Sequence, residues 1–340
     1  MRIAFAGTPH FGALVLGALL GSGHEVALVI TQPDRPAGRG RGLRMSPVKQ
    51  LALAEGLRIE QPEIISTPDF VKEIKSLGVE ALTVAAFGQI LREPLLGGLP
   101  CINVHASLLP KYRGAAPIER AMMAGERETG VSIMDITPKV DTGAVYRQRV
   151  VPIGEEDDAG SMYEKLGRAG GEALAEVLEA IERSGMEPDP QDESAATYVE
   201  KISLGDREIN WQRSALEIVA QVRGLSPHIG AFTIAGGHRL KVWKAIVAEA
   251  PAEADQQTAS EVSDRLMVMA VEPGGITIDG MVMAVEPGGI TIDGDRLFVR
   301  CGTGALELVE VQPEGKRRMA AADFVRGHKN AIEAKKLGEL

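Results

Sequence analysis

The sequence predicts an α/β protein of two domains: a doubly wound, Rossmann-like domain with a mostly parallel sheet, followed by a small OB-like β-barrel. In the first half of the chain, short apolar runs rich in β-branched residues alternate with helical patterns, as expected when helices connect parallel strands. After residue 202, short apolar runs separated by glycine indicate a barrel. The length of 340 residues also exceeds what one hydrophobic core usually serves.

The first domain begins with a strand, a turn and a buried helix. The apolar run at residues 11–20 is too short to span a bilayer and follows Pro9 and His10 rather than a basic leader, so we expect a buried helix and no signal peptide. The turn Gly7-Thr8-Pro9 lacks the G-x-G-x-x-G and Walker patterns, so its glycine is expected to be structural. Strands are predicted at residues 3–6, 26–31, 81–86 and 102–104.

Two more helices and a linker complete the division into domains. Ser46 and Pro47 fit an N-cap and a first helical residue, so a helix runs to about Glu55 and residues 32–45 form a long loop. A helix at about residues 160–184 ends the first domain, and the acidic, proline-rich segment 187–193 indicates an exposed linker. The predicted boundaries are 1–186 for the first domain, 187–206 for the linker and 207–340 for the second domain.

Charge and cysteine content exclude several classes of protein. The net charge of −10 disfavours a dedicated nucleic-acid binder, because neutralising phosphates needs clustered Lys and Arg. Cys101 and Cys301 lie far apart and form no C-x-x-C pair, which argues against a disulfide framework or a thiolate zinc site. We therefore expect a reducing, cytoplasmic setting.

The second domain contains a tandem copy. Residues 267–280 (MVMAVEPGGITIDG) recur letter for letter as residues 281–294. Each copy is compatible with a hairpin around its Pro-Gly-Gly, so the duplication is expected to add a surface hairpin. Two copies are too few for a repeat architecture, which needs at least three units.

The strongest chemical pattern lies at the end of the fourth predicted strand. Asn103 and His105 are two residues apart, so their side chains point to the same side, and an amide donor beside an imidazole suits an oxyanion formed in acyl transfer. Asp141 is a candidate for the carboxylate that orients the histidine. A purely structural role for His105 is the alternative. No nucleophile elbow or H-E-x-x-H motif supports a covalent intermediate or a metal.

Basic residues concentrate in two places. The loop at residues 32–44 carries four arginines against one aspartate, with glycines that let its backbone approach a partner closely. Near the C-terminus, Lys316, Arg317, Arg318, Arg326, Lys329, Lys335 and Lys336 form a second basic region. Both patterns suit phosphate binding, and solvated basic surfaces are the alternative in each case.

Together these stretches resemble the bacterial methionyl-tRNA formyltransferases, over nearly the whole chain except the tandem copy. The trio of Asn103, His105 and Asp141 is shared by the wider folate-dependent formyltransferases, so it implies the reaction but not the acceptor of the formyl group. The arginine loop and the second domain are what point to a tRNA acceptor. His10 and Lys111-Tyr112 depart from the family's usual residues. The matching segments are residues 5–9 (FAGTP), 31–40 (TQPDRPAGRG), 102–105 (INVH), 107–110 (SLLP), 113–118 (RGAAPI), 128–131 (ETGV), 141–143 (DTG), 312–313 (QP) and 315–316 (GK).

The resemblance implies transfer of the formyl group of 10-formyltetrahydrofolate to the α-amine of initiator methionyl-tRNA, with no metal, membrane or covalent enzyme intermediate. Asn103 and His105 would stabilise the oxyanion, and Asp141 would orient His105 and assist proton removal. The implied folate contacts are Ser107, Leu108, Leu109, Pro110, Phe87, Gly88, Gln89, Ile90 and Leu91. The implied tRNA contacts are Arg35, Arg39, Arg41, Arg44 and Lys316, among which Arg39 matches the family's best-known arginine.

Two rival functions remain open at this point. A folate-dependent formyltransferase acting on a small amine, such as a ribonucleotide or an amino-sugar nucleotide, would share the trio but would have no use for the arginine loop and the barrel. A non-catalytic RNA-binding protein would keep the fold but would not depend on His105.

Overall fold

The computed structural model describes residues 1–37, 42–235, 237–248, 276–278, 281–283 and 286–332. The chain forms two compact units. The first unit consists of Met1–Ala121, Arg127–Glu156 and Ser161–Lys201, and the second of Met122–Glu126, Asp157–Gly160 and Ile202–Leu340.

A seven-stranded sheet forms the centre of the first unit. The strands of this unit are β1 (Arg2–Gly7), β2 (Glu25–Ile30), β3 (Arg35–Ala37), β4 (Gly42–Arg44), β5 (Ile59–Glu60), β6 (Ala81–Ala85), β7 (Cys101–His105), β8 (Arg113–Gly114), β9 (Glu128–Asp135), β10 (Val145–Pro152) and β11 (Tyr198–Val199). The order in the large sheet is β10-β9-β7-β6-β1-β2-β5. Its pairings are parallel from β5 to β7, and β9 and β10 add antiparallel partners. The predicted parallel α/β sheet is therefore confirmed.

Five helices accompany these strands: α1 (His10–Leu20), α2 (Pro47–Ala54), α3 (Pro68–Ser76), α4 (Pro117–Met123) and α5 (Ala159–Ser184). Helix α1 buries Val15, Leu16 and Leu19, as the apolar run predicts. The N-cap prediction for α2 also holds, because the Ser46 side chain accepts a hydrogen bond from the Lys49 backbone N–H. None of the described helices combines the length and apolar character needed to cross a membrane.

Glycines let α5 pack closely against α1 and the sheet. A Cβ at Gly170 would lie 2.6 Å from Val104 Cγ1, and one at Gly171 would lie 2.4 Å from the Cβ of Ala18. Since Val104 stands between Asn103 and His105, α5 supports the strand that carries both predicted catalytic side chains.

The segment that follows α5 is packed on the first unit. Asp189 forms a bridge with Val145, and β11 runs parallel to β8. Arg113 is fully buried, and it donates hydrogen bonds to Gln191 and Glu193 of the same segment. Residues 187–193 are mostly exposed, as the sequence analysis expects, but the segment is hydrogen-bonded to the first unit, because a buried guanidinium needs partners and this segment supplies them. The change of unit comes at residues 201–202.

The second unit is an antiparallel sheet with two helices, α6 (Ala215–Leu225) and α7 (Ala321–Ile332). Its strands are β12 (Ala231–Ala235), β13 (His238–Val247), β14 (Ile276–Ile278), β15 (Met281–Met283), β16 (Ile290–Asp293), β17 (Arg296–Arg300), β18 (Ala305–Pro313) and β19 (Met319–Ala320). The main order is β12-β13-β18-β17-β16, with β19 on β18. Ile218 of α6 and Phe324 of α7 join Val242 and Val299 in one core. The separate antiparallel domain is confirmed, and a pairing of β12 with β16 that would close a barrel is not found within the described ranges.

The two tandem copies occupy different structural settings. In the first copy, β14 pairs with β15, which begins the second copy. In the second copy the same Ile-Thr-Ile sequence belongs to β16 and pairs with β17. In both copies Ile-Thr-Ile is followed in the sequence by Asp-Gly, the dipeptide that favours tight hairpin turns. In the second copy, β16 and β17 form a hairpin at Asp293 to Arg296, and no pairing across Pro287-Gly288-Gly289 is found among the described strands. The Pro-Gly-Gly of the first copy, where the sequence analysis also expects a hairpin, lies outside the described residues.

The glycine packing of α5 leads to a testable contrast between two Gly→Ala substitutions. Gly171→Ala is expected to destabilise the fold, because overpacking costs about 1–3 kcal/mol and exceeds the gain of about 0.5–1 kcal/mol in helix propensity. Gly17→Ala in α1 meets only Leu51 Cδ2, at 3.8 Å, and is expected to stabilise the protein. Thermal unfolding of both variants measures the difference; a Tm that rises in both would contradict the packing argument.

Candidate active site

A cavity of about 550 Å³ lies in the first unit, where β6 and β7 end. This is the edge at which parallel α/β sheets usually bind ligands. The lining comprises Val84 of β6, residues 86–91 after β6, residues 103–106 at the end of β7, residues 114–118, 134 and 136–141, and Pro9, Phe11 and Tyr163. The cavity therefore brings together Asn103, His105 and Asp141, which are far apart in the sequence.

The carboxamide of Asn103 is available to a ligand. Asn103 is half-buried on β7, where its backbone pairs with Met134. Its side chain makes no hydrogen bond with any part of the chain that the structure describes. An amide held on a strand at the wall of a cavity is a fixed N–H donor for an oxygen that gains negative charge.

The two ring nitrogens of His105 face different groups. Nε2 lies 3.0 Å from the carbonyl oxygen of Tyr112, and Nδ1 lies 3.6 Å from Oδ2 of Asp141. A carbonyl can only accept a hydrogen bond, so Nε2 carries a proton and the neutral ring presents a free Nδ1 towards Asp141. The Tyr112 carbonyl, which sequence reasoning missed, therefore fixes the tautomer, while the distance to Asp141 is that of an ion pair and not of a hydrogen bond.

Asp141 has an unusual backbone conformation. Its φ of 51° lies in the left-handed region that residues other than glycine seldom occupy. Its Oδ2 accepts a hydrogen bond of 2.8 Å from the backbone N–H of Gly114. Gly143, two residues on, can only be glycine, because a Cβ there would lie 1.8 Å from the carbonyl oxygen of Asp135. The glycine of Asp-Thr-Gly is therefore required by the shape of this turn.

The loop at residues 87–91 forms an apolar wall that is anchored in the core. Phe87 and Leu91 are buried in the same hydrophobic cluster as Leu82 of β6. The Phe87 carbonyl accepts hydrogen bonds from Thr8 Oγ1 at 2.8 Å and from Gln32 Nε2 at 3.1 Å. Between these anchors Ile90 is 71% exposed and lines the cavity. All five predicted folate contacts in this loop therefore line the cavity.

Residues 107–110, the other predicted folate contacts, are not among the described residues that line the cavity. Ser107 is fully buried, and its Oγ donates to the Lys111 carbonyl at 2.6 Å. The Leu109 N–H donates to Ser132 Oγ, which in turn donates to the Ser107 carbonyl. These bonds shape the turn that presents the Tyr112 carbonyl to His105.

The arginine-rich loop is braced where it leaves the sheet. Lys49 Nζ lies 2.5 Å from Asp34 Oδ2, and Gln61 donates to Asp34 Oδ1 at 3.0 Å. The hydrogen bond from Lys49, followed by that from Gln61, holds the pKa of Asp34 below its usual value. Beyond this brace, β3 and β4 form a two-stranded ribbon that pairs the exposed Arg35 and Arg44. Arg39 and Arg41 lie outside the described residues.

The second unit carries a cluster of cations on aromatic rings, of which only Arg318 belongs to the basic region named from the sequence. The guanidinium of Arg239 lies 4.3 Å from the ring centre of Phe232, and that of Arg318 lies 3.5 Å from Trp243. Lys241 Nζ lies 4.8 Å from Trp243. Burial lowers the pKa of Lys241, and the nearby charges of Arg207, Arg239 and Arg318 lower it further. The predicted Lys316 is exposed in the turn between β18 and β19.

Comparison with known proteins identifies the family. The model described as Formyl transferase matches residues 1–178, and the one described as Formyl transferase, C-terminal domain, matches residues 201–329. The methionyl-tRNA formyltransferase of Methylococcus capsulatus is 40% identical over 340 residues, which cover 99% of this chain and 100% of that protein. The methionyl-tRNA formyltransferase of Symbiobacterium thermophilum is 43% identical, over 96% of this chain and 92% of that protein.

A solved structure supports the same fold. An N-formyltransferase from Helicobacter canadensis, in complex with folinic acid and dTDP-3-aminofucose, superposes with a TM-score of 0.62 at 16% identity, over 92% of this chain and 99% of that chain. At that identity the likeness concerns the fold alone. The two family models and the full-length relatives show more than the fold: the chain belongs to the formyl transferase family.

Proposed function

We propose that this protein transfers the formyl group of 10-formyltetrahydrofolate to the α-amine of methionyl-tRNA, giving N-formylmethionyl-tRNA for translation initiation. The observation that carries the proposal is the cavity that collects Asn103, His105 and Asp141 beside an apolar wall. It occurs in a chain that is about 40% identical, over nearly its full length, to proteins named methionyl-tRNA formyltransferase.

The cavity suits a reduced folate as formyl donor. Its volume of about 550 Å³ lies in the range of small-molecule sites, and its wall at residues 87–91 offers apolar side chains, among which Ile90 is 71% exposed. We assign the pterin to this wall, with Phe87 and Leu91 as its fixed ends. The donor supplies a formyl carbon bonded to a nitrogen that can leave.

We assign the role of proton acceptor to Nδ1 of His105, in place of the oxyanion contact that the sequence analysis expects of this residue. As the amine nitrogen bonds to the formyl carbon, its proton passes to Nδ1, directly or through water, because Nε2 already carries the proton donated to Tyr112. The resulting imidazolium is stabilised by Asp141, 3.6 Å away. The Asn103 amide donates to the developing oxyanion. When the bond between the formyl carbon and the carrier nitrogen breaks, His105 Nδ1 gives this proton to the leaving carrier nitrogen and becomes neutral again.

Both units carry surfaces that suit an RNA acceptor. In the first unit, Arg35 and Arg44 are exposed on the ribbon, and Arg39 and Arg41 belong to the same loop. In the second, Lys316 and the cluster of Arg207, Arg239, Lys241 and Arg318 offer cationic groups of the kind that bind phosphates, and the buried rings of Phe232 and Trp243 hold three of those cations in place. We therefore assign catalysis to the first unit and additional tRNA contacts to the second.

The two cysteines agree with a cytoplasmic setting, which we also propose. Cys101 and Cys301 are free and buried. Burial raises the pKa of each thiol to about 12. Both are therefore unreactive core thiols under neutral conditions and take no part in the transfer.

An Asn103→Asp variant tests the oxyanion role. It replaces an N–H donor by an acceptor of the same size, so kcat is expected to fall about 10²–10³-fold while tRNA binding is nearly unchanged. The readout is transfer of radiolabelled formyl from the folate donor to charged initiator tRNA. Asn210→Asp is the matched control, because Asn210 uses only its acceptor oxygen, towards the Gln212 N–H. Wild-type protein that formylates a small amine but not tRNA would refute the proposed acceptor.

Alanine variants of Arg39 and Arg44 test the loop. Each is expected to weaken tRNA binding and to reduce the slope of log K against log salt concentration by about 0.7–0.9 for each phosphate that the variant no longer neutralises. Arg58→Ala is the control, since Arg58 is an exposed arginine that is already paired with Glu60 and Glu73. Filter binding over a salt series gives the slopes, and identical slopes in all three variants would remove the loop from the tRNA site.

A further inference from the structure

A short segment after α5 crosses the loops that form the active site. We call residues 189–199 the strap. The Thr197 carbonyl accepts a hydrogen bond from the Arg113 N–H at 2.9 Å, and its Oγ1 accepts one from the Tyr112 N–H at 2.8 Å. The strap therefore holds the same turn whose carbonyl fixes the tautomer of His105.

Within the strap, the amide of Gln191 uses all of its hydrogen-bonding capacity. Its Oε1 accepts from Nε and Nη2 of Arg113 at 3.1 and 2.9 Å. Its Nε2 donates to the carbonyl oxygens of Asp141 at 2.9 Å and Gly143 at 2.7 Å. Because a guanidinium only donates, the orientation of this amide is determined and cannot be reversed without loss of all four bonds.

Arg113 is a fixed partner for Gln191. It is fully buried and is held by both carboxylate oxygens of Glu193, at 3.0 and 2.7 Å, and by the hydroxyl of Tyr198, at 2.8 Å. The hydrogen bonds that Arg113 donates to Glu193, more than any other contact, raise the pKa of Arg113 above its ordinary value. The guanidinium is thus permanently charged, and Gln191 transmits its position to the Asp141 turn.

The two carbonyls held by Gln191 belong to the turn in which Asp141 has its left-handed backbone. A residue with a side chain keeps a φ of 51° only where its surroundings impose it. The Gly114 N–H holds the carboxylate itself, and Gln191 holds the backbone on both sides of the turn. We infer that Gln191 is a positioning residue for formyl transfer, which aims the Asp141 carboxylate at His105. This inference rests on the proposed function for its kinetic consequences.

Gln191→Glu is the sharpest test. The glutamate keeps the acceptor that faces Arg113 but turns an oxygen towards the two carbonyls, so both donated bonds are lost without an unpaired guanidinium. We expect kcat for charged tRNA to fall about 10–100-fold, as for other residues that orient a catalytic group, with KM for both substrates within about threefold of wild type. Gln191→Asn, which is one methylene shorter, cannot reach both partners and is expected to behave in the same way.

Asp192→Ala is the matched control in the strap. It removes hydrogen bonds to Ser194 and leaves the contacts of Gln191 in place, so kcat is expected to stay within about threefold of wild type, against the 10–100-fold loss expected for the Gln191 variants. Thermal unfolding establishes that each variant is folded. A wild-type kcat in either folded Gln191 variant, or an equal loss in Asp192→Ala, would overturn the inference.

Hydrogen exchange of the Gly114 amide provides a readout that does not depend on activity. This N–H donates to Asp141, so its exchange is expected to accelerate at least about tenfold in Gln191→Glu and to remain unchanged in Asp192→Ala, following the usual link between a broken hydrogen bond and local opening. Equal exchange in wild type and Gln191→Glu would show that Gln191 does not hold the carboxylate. If wild-type protein fails to formylate tRNA, the proposed function fails while the exchange still decides the role of Gln191.

Discussion

The buried guanidinium of Arg113 is the constraint around which the first unit is arranged. A charge removed from water must be met by acceptors in good geometry, and isolated burial is prohibitively unfavourable. The chain meets this demand with residues 78 and 80 positions further along, at Gln191 and Glu193. The segment that carries them is hydrogen-bonded to the loops after β7 and after β9, so the positions of Tyr112 and Asp141 beside His105 depend on a side chain that does not line the cavity.

The two nitrogens of His105 illustrate how the site divides its electrostatic work. The Tyr112 carbonyl is an obligatory acceptor and acts on Nε2 in every protonation state. The Asp141 carboxylate lies at 3.6 Å from Nδ1 and matters most once the ring becomes a cation. The Tyr112 carbonyl sets the tautomer and the Asp141 carboxylate stabilises the charge, so each group can take the position that its own contact with the ring requires.

Sequence patterns anticipate the parts of this molecule that depend on local periodicity. Strands β1, β2, β6 and β7 and the buried helix α1 follow from apolar patterns, and the common direction of Asn103 and His105 follows from their spacing on a strand. The Tyr112 contact was beyond reach, because a backbone carbonyl leaves no mark in the sequence. Gln191 stood in an acidic stretch whose composition resembles a linker, and only the buried charge of Arg113 distinguishes the two.

The cation cluster of the second unit was hidden for a related reason. Arg239 and Lys241 are ordinary alternating strand residues, and Arg318 reaches Trp243 only through the pairing of β13, β18 and β19. Charge counted along the chain therefore located Arg318 with Lys316 and Arg317, but not Arg207, Arg239 and Lys241, with which Arg318 forms the cluster. Long-range register, and not composition, determines where positive charge is concentrated.

The tandem copies have a consequence for how this chain tolerates changes in length. The repeated unit spans residues 267–280 and then 281–294, an even number of residues that ends on Asp-Gly. An insertion with an even number of residues preserves the alternation of inward and outward side chains in the strands that follow. An insertion that ends on a turn dipeptide also lets the next strand begin at the same residue of the repeat. At this place in the chain, length can thus grow by one repeated unit of 14 residues while β17 and β18 keep their alternation of inward and outward side chains.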